Sequence, residues 1–167
     1  VFGYNDVTKP ITNHIYFFAI TGRSAFTTAL KTKESTQIVA NKVTKEISDM
    51  VELAMSRPGV FPEGFTLYLA NFPDPLGGTG DTNLCKGSIT NQDKEYTKKL
   101  YQEIDIAISK MQTIYPQYIR VIETEKLFLG HQVGATESWF SNCISLNETG
   151  ESELSKLFID AIESENN

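Results

Sequence analysis

The chain has 167 residues, of which 40% are hydrophobic and 22% charged, enough for one domain with a real core and too apolar for a disordered segment. A net charge of -6 and a pI near 5.0 argue against nucleic acid and anionic membrane as principal partners. No apolar run approaches the roughly 20 residues that span a bilayer.

Residues 1–13 are polar and turn-rich after Val1-Phe2. The run Ile15-Tyr16-Phe17-Phe18-Ala19-Ile20 has the length and aromatic, β-branched content of a buried strand. A helix is predicted over 34–56, where Val39, Val43, Ile47, Val51 and Ala54 recur at spacings of three and four and Arg57-Pro58-Gly59 stops the pattern. A second strand is predicted over 65–72. It is followed by a Gly-, Pro-, Asp- and Thr-rich loop over 73–91, long enough to be ligand-facing. A second helix is predicted over 92–113, with Leu100, Ile104, Ala107 and Met111 as its stripe, and a third strand over 118–123. Another long loop covers 126–148. The last helix, over 150–164, carries Leu154, Leu157, Phe158, Ala161 and Ile162 on one face.

Strand–helix alternation implies parallel strands joined by right-handed crossovers, in a single α/β domain over 1–167. Ligands in such sheets sit beyond the C-terminal strand ends, where the long loops leave. Three strands fall short of the five or so usual for a sheet, so the expectation is a domain incomplete at its N-terminus. An upstream segment or a second chain would complete the sheet.

Cys85 and Cys143 lack metal-site spacing, and with two histidines in the chain a zinc site is not expected, nor any other cofactor. One disulfide and two free thiols are both open readings. The sequon Asn147-Glu148-Thr149 makes Asn147 a candidate glycosylation site and favours a secreted chain. Gly77-Gly78-Thr79-Gly80 is followed by neither a helix start nor a lysine, so it is no phosphate loop.

Three segments carry a resemblance. They are Leu67 through Pro75 followed by Gly77-Gly78-Thr79-Gly80-Asp81; Leu127-Phe128-Leu129-Gly130-His131; and Trp139-Phe140-Ser141-Asn142 through Asn147-Glu148-Thr149-Gly150-Glu151-Ser152-Glu153-Leu154. Together they resemble the C-terminal portion of the SGNH/GDSL-type hydrolases, the esterase and lipase superfamily. The resemblance implies a three-layer α/β/α, flavodoxin-like fold and hydrolysis of a small-molecule ester. That chemistry needs a serine nucleophile, a base oriented to take its proton, and fixed donors for the tetrahedral oxyanion.

The catalytic blocks of that family are altered here. No G-D-S occurs, and Asn142-Cys143-Ile144-Ser145 stands in the place of D-x-x-H, without a charge to orient an imidazole or an imidazole to orient. A literal G-x-N-D occurs as Gly3-Tyr4-Asn5-Asp6, which would make Asn5 an oxyanion donor and put the nucleophile upstream. The competing placement of that block is Gly22-Arg23-Ser24-Ala25 after the first strand, with Gly22 as oxyanion donor and Ser24 in the Asn position; the same residues also read as a damaged G-D-S, with Arg23 in the Asp position and Ser24 as nucleophile. Ser24 also suits a helix cap or turn.

His131, on a loop beyond a strand's C-terminal end, is the candidate general base. His14 lies at the opposite, N-terminal edge. Asp74 and Asp81 are candidates to orient His131 or contact substrate, although aspartates beside Pro and Gly commonly form turns. Trp139 and Phe140 either line an acyl or sugar pocket or anchor the last loop to the core. Glu151 and Glu153 suit the start of the last helix electrostatically. Against the hydrolase stand two readings: a catalytically degenerate SGNH-like binding or structural module, and an unrelated doubly wound domain binding a small ligand at its strand ends.

Overall fold

The computed structural model describes residues 34–61, 64–71, 74–77, 85, 89–143 and 145–165, together with the backbone of 15–19. In chain order the elements are β1 (Ile15–Ala19), α1 (Thr36–Met55), β2 (Phe65–Ala70), α2 (Asn91–Ile114), β3 (Ile119–Ile122), the single turn α3 (Glu125–Phe128) and α4 (Glu148–Glu165). The strands form a parallel sheet in the order β1-β2-β3. Phe17 is opposite Leu67, and Leu67 is opposite Ile119.

β2 lies between the other two strands, and all six of its residues are buried. Burial on both faces is why its sequence is apolar without a polar alternation. Successive side chains still point to opposite sides. Phe65, Leu67 and Leu69 pack with Val39, Val43, Ile47 and Val51 of α1 and Leu100, Ile104 and Met111 of α2. Tyr68 and Ala70 pack with Leu154, Phe158 and Ile162 of α4. Helices therefore lie against both faces of the described sheet.

The α1 stripe predicted from spacing is the buried stripe: Val39, Val43, Ile47 and Val51 are each at most 1% exposed. Removing each such side chain from water contributes about 1.5–3 kcal/mol. α2 opens on a capping box, in which the Thr90 hydroxyl accepts from Asp93 N at 3.2 Å and the Asp93 carboxylate accepts from Thr90 N at 2.9 Å. Two orphan amides of the first turn are satisfied reciprocally.

The stretch predicted as a loop over 126–148 is more ordered than its composition suggests. It holds most of α3, a chain of turns, and an antiparallel bridge between Phe140 and Leu146. Phe128, Val133 and Phe140, at 0%, 1% and 2% exposure, plug it into the core beside α4. Phe140 thus takes the second of its two expected roles, anchoring the last loop to the core, whereas Phe128 and Val133 follow no period that pattern reading could see. α4 also begins two residues earlier than predicted, at Glu148, which places Glu148 and Glu151 rather than Glu153 in its acidic first turn. Glu153 instead pairs with Lys156.

Candidate functional site

The C-terminal ends of β2 and β3 are closed by a polar knot. Asn71, just past β2 and 9% exposed, donates from its backbone N to Ile122 O at 3.2 Å. Its Oδ1 accepts from Thr124 N at 2.6 Å, and its Nδ2 donates to the Glu123 carboxylate. The fully buried Thr124 hydroxyl donates back to Asn71 O. Buried polar groups in this knot satisfy one another, which fixes the angle at which the chain leaves both strands.

From Thr124 the single turn of α3 leads to Phe128-Leu129-Gly130-His131. Here His131 N donates to Phe128 O at 2.9 Å. Leu129 has φ -61° and ψ 121°, and Gly130 has φ 87°. These angles define a type II turn, whose third position favours glycine. Phe128 anchors the turn in the core while Leu129, 72% exposed, sits at its corner. The F-L-G-H string is therefore a device that delivers a histidine to the surface at a fixed place.

The His131 ring is held twice. Its Nδ1 lies 2.8 Å from Glu137 O, and because a carbonyl only accepts, Nδ1 carries the proton in this bond. In the neutral ring Nε2 then keeps its lone pair, as a general base requires. The ring face stacks on Trp139, with centroids 3.8 Å apart and planes 9° apart. Trp139 N donates to His131 O at 3.0 Å, closing the 131–139 loop at its base.

Two links tie this loop to the one after β2. Val133 N donates to Pro75 O at 2.9 Å. Cys85 and Cys143 form a disulfide with Cα atoms 5.0 Å apart, within the ordinary range. The segment in the place of D-x-x-H thus serves as a turn around this disulfide, with Asn142 Oδ1 accepting from Ser145 N at 2.8 Å.

Asp74 is brought to the same end of the sheet but not into partnership with the imidazole, whose Nδ1 is engaged by Glu137 O. Asp74 Oδ1 accepts from Leu76 N at 3.0 Å, and Asp74 O accepts from Gly77 N at 3.2 Å, so the residue builds its own turn. Burial raises its carboxyl above the usual aspartate range, opposed by the Leu76 N–H and by Lys98. On α2, burial pushes the Tyr101 phenol well up, with Asp74 and Asp105 adding to the effect.

Asn147 is a helix cap. Its Oδ1 accepts from Gly150 N at 2.9 Å, its Nδ2 donates to Ser138 O at 2.8 Å and its backbone N donates to Trp139 O at 2.9 Å. A glycan would take one of the two Nδ2 hydrogens and leave the other for the bond to Ser138 O. Gly150 follows from the same contact: a Cβ there would lie 2.6 Å from Trp139 O. The spacing W-F-x-N…N-x-x-G therefore records the docking of the first turn of α4 on Trp139.

Ser24, Gly22 and Asn5 lie outside the described residues, as do His14 and Asp81. Among the described residues no group of His, Cys, Asp or Glu side chains gathers to hold a metal ion, and no helix is long and apolar enough to cross a membrane. Asn71, Glu123 and Thr124 escaped the sequence reading; the available signal was an Asn at the end of an unbroken apolar strand.

No protein-family model matches the chain, and no curated protein shows significant similarity to it. Among solved structures it is similar to an extracellular lipase from Streptomyces rimosus, with a TM-score of 0.59 and 11% identity, over 92% of this chain and 69% of that chain. At that identity the likeness is one of fold: this chain has the helix-and-parallel-sheet architecture of a lipase-like fold.

Proposed function

We propose that the chain is an SGNH/GDSL-like ester hydrolase, or the C-terminal portion of one, built on a three-layer α/β/α, flavodoxin-like domain. The observation that carries this reading is the held imidazole of His131, with Nδ1 on Glu137 O at 2.8 Å and Nε2 left to take a proton. In the mechanism a serine hydroxyl loses its proton to Nε2 as the oxygen attacks the ester carbonyl. His131 then returns the proton to the leaving alcohol, and water repeats the sequence on the acyl-enzyme. Glu137 O replaces the family's carboxylate as orienter of the ring, which fixes the tautomer without adding a charge. Ser24 is the candidate nucleophile, with Gly22 or Asn5 as oxyanion donor and Asp74 as a substrate contact. The disulfide and the extracellular neighbour support secretion.

One observation favours a second reading, a degenerate SGNH-like binding module. The place of the family's acid and base is occupied by a turn wrapped around a disulfide.

The test is reaction of the purified chain with a fluorophosphonate, adduct mapping by mass spectrometry, and turnover of a p-nitrophenyl ester. The hydrolase reading expects an adduct at Ser24 and a loss of about 10²–10⁴-fold in turnover for His131→Gln. An adduct with undiminished turnover in His131→Gln would remove His131 from the base role. Neither adduct nor turnover in the full-length protein would leave the binding module.

A further inference from the structure

We infer that Trp139 is a positioning residue for His131, itself set in place by the first turn of α4; this rests on reading His131 as the base. The backbone of Trp139 is pinned from two sides. Its N donates to His131 O at 3.0 Å and its O accepts from Asn147 N at 2.9 Å. The neighbouring Ser138 O accepts from Asn147 Nδ2 at 2.8 Å. Gly150 lets the helix come so near that any side chain there would collide with Trp139 O at 2.6 Å and Trp139 Cβ at 3.0 Å.

The indole is held as firmly as its backbone. One face covers the imidazole at 3.8 Å, and the ring meets the fully buried Phe128 edge-on at 5.5 Å and 78°. Phe128 in turn begins the type II turn that delivers His131. The two aromatic residues bracket the histidine's own loop, so the plane of the imidazole is set by Trp139. Rotation within that plane is set by the bond from Nδ1 to Glu137 O. With plane and rotation both fixed, Nε2 has one address. A tryptophan lining an acyl pocket would offer its face to the ligand. Here one face is already occupied by the base.

A run of contacts thus leads from a helix start to a catalytic nitrogen: Gly150 and Asn147 to Trp139, and Trp139 to His131. It assigns a purpose to the close of the chain that packing alone does not require. A helix can be capped by Asn147 without a glycine three residues on. The glycine is needed because the backbone of Trp139 passes so close to the helix.

The test uses the ring current of the indole, and the chain has one tryptophan and two histidines, so signals are few. In proton NMR the His131 ring protons, identified by their absence in His131→Gln, should lie upfield. The displacement should vanish in Trp139→Leu, persist in part in Trp139→Phe, and shrink in Gly150→Ala. In ester turnover, Trp139→Leu should lower kcat about tenfold to a hundredfold with KM unchanged, as expected for a misplaced base, and Trp139→Phe should recover most of it. Unshifted His131 protons in the wild-type chain, or a raised KM at unchanged kcat in Trp139→Leu, would overturn the inference. A full-length protein that keeps the shift and its response to these substitutions, yet neither takes the fluorophosphonate nor turns over ester, would retain the positioning and overturn the hydrolase reading alone.

Discussion

The two faces of the sheet are stabilised in different ways. Under α1 and α2 the core is a lattice of aliphatics at helical spacing, Val39, Val43, Ile47 and Val51 beside Leu100, Ile104 and Met111, against Phe65, Leu67 and Leu69. On the α4 side, Leu154, Phe158 and Ile162 meet the sheet together with an irregular segment that plugs in Phe128, Val133 and Phe140. That segment is shaped by single-residue devices: a disulfide, the glycine turn at Gly130, the cap at Asn147 and the notch at Gly150. The first face is built by repetition and the second by exceptions. Exceptions collect where a chain must place one group accurately.

The sharpest way to test the difference is to remove the largest exception. Replacing both Cys85 and Cys143 by Ser opens a link across 58 residues and should cost about 4 kcal/mol on the chain-entropy estimate. Urea titration reads the loss. Hydrogen exchange should show amides of 129–147 opening well before those of α1, and simultaneous opening would erase the distinction between the faces. On the repetitive face, Leu69→Ala removes a fully buried side chain and should cost about 3 kcal/mol. Far-UV circular dichroism and Trp139 fluorescence should then shift together, because the lattice is common property; separate transitions would contradict that.

A smaller effect is expected from Gly130→Ala. The site is uncrowded, but its φ of 87° is unfavourable to a side chain, so the cost should be about 1–2 kcal/mol. Near-UV circular dichroism should change with it, since the turn carries His131 onto Trp139. An unchanged near-UV spectrum at the expected loss would separate the turn from the stack.

The smallest effect concerns Asp74, whose folded carboxyl is raised by burial. Folding then favours the protonated acid. This contribution is complete below the unfolded pKa and is lost as pH rises through the raised folded value. At neutral pH the buried charge opposes folding. Asp74→Asn keeps the Oδ1 acceptor for Leu76 N, so it should raise the urea midpoint at pH 7 and leave it unchanged at pH 3. A lowered midpoint at pH 7 would mean that the charge serves the fold.

Legibility in the sequence followed the same division. Val39 to Val51 and Leu100 to Met111 announced α1 and α2 by spacing alone, and the unbroken run from Phe65 announced a central strand, because periodic burial leaves a periodic trace. The order of elements followed from their alternation. The site was legible in part. Strings such as F-L-G-H and W-F-x-N…N-x-x-G drew attention to His131 and Trp139, whose rings the structure stacks on one another, before any reason for the spacing was visible. The reasons are contacts: Gly150 against Trp139 O, Asn147 onto Ser138, Val133 onto Pro75. These join residues whose nearness no local pattern encodes. The knot of Asn71 with Glu123 and Thr124 was illegible for the same reason, since its partners lie 52 and 53 positions apart.

The disulfide also changes what a broken peptide bond means for this molecule. Cys85 and Cys143 enclose all of α2, β3 and the turn bearing His131. A protease that cuts once inside that span produces two pieces that remain one covalent particle, with the sheet partners still tethered to each other. The nicked chain would migrate as a single band until a reductant is added, then as two. For a protein exposed to proteases, the exposed corner at Leu129 can be cut without the halves diffusing apart.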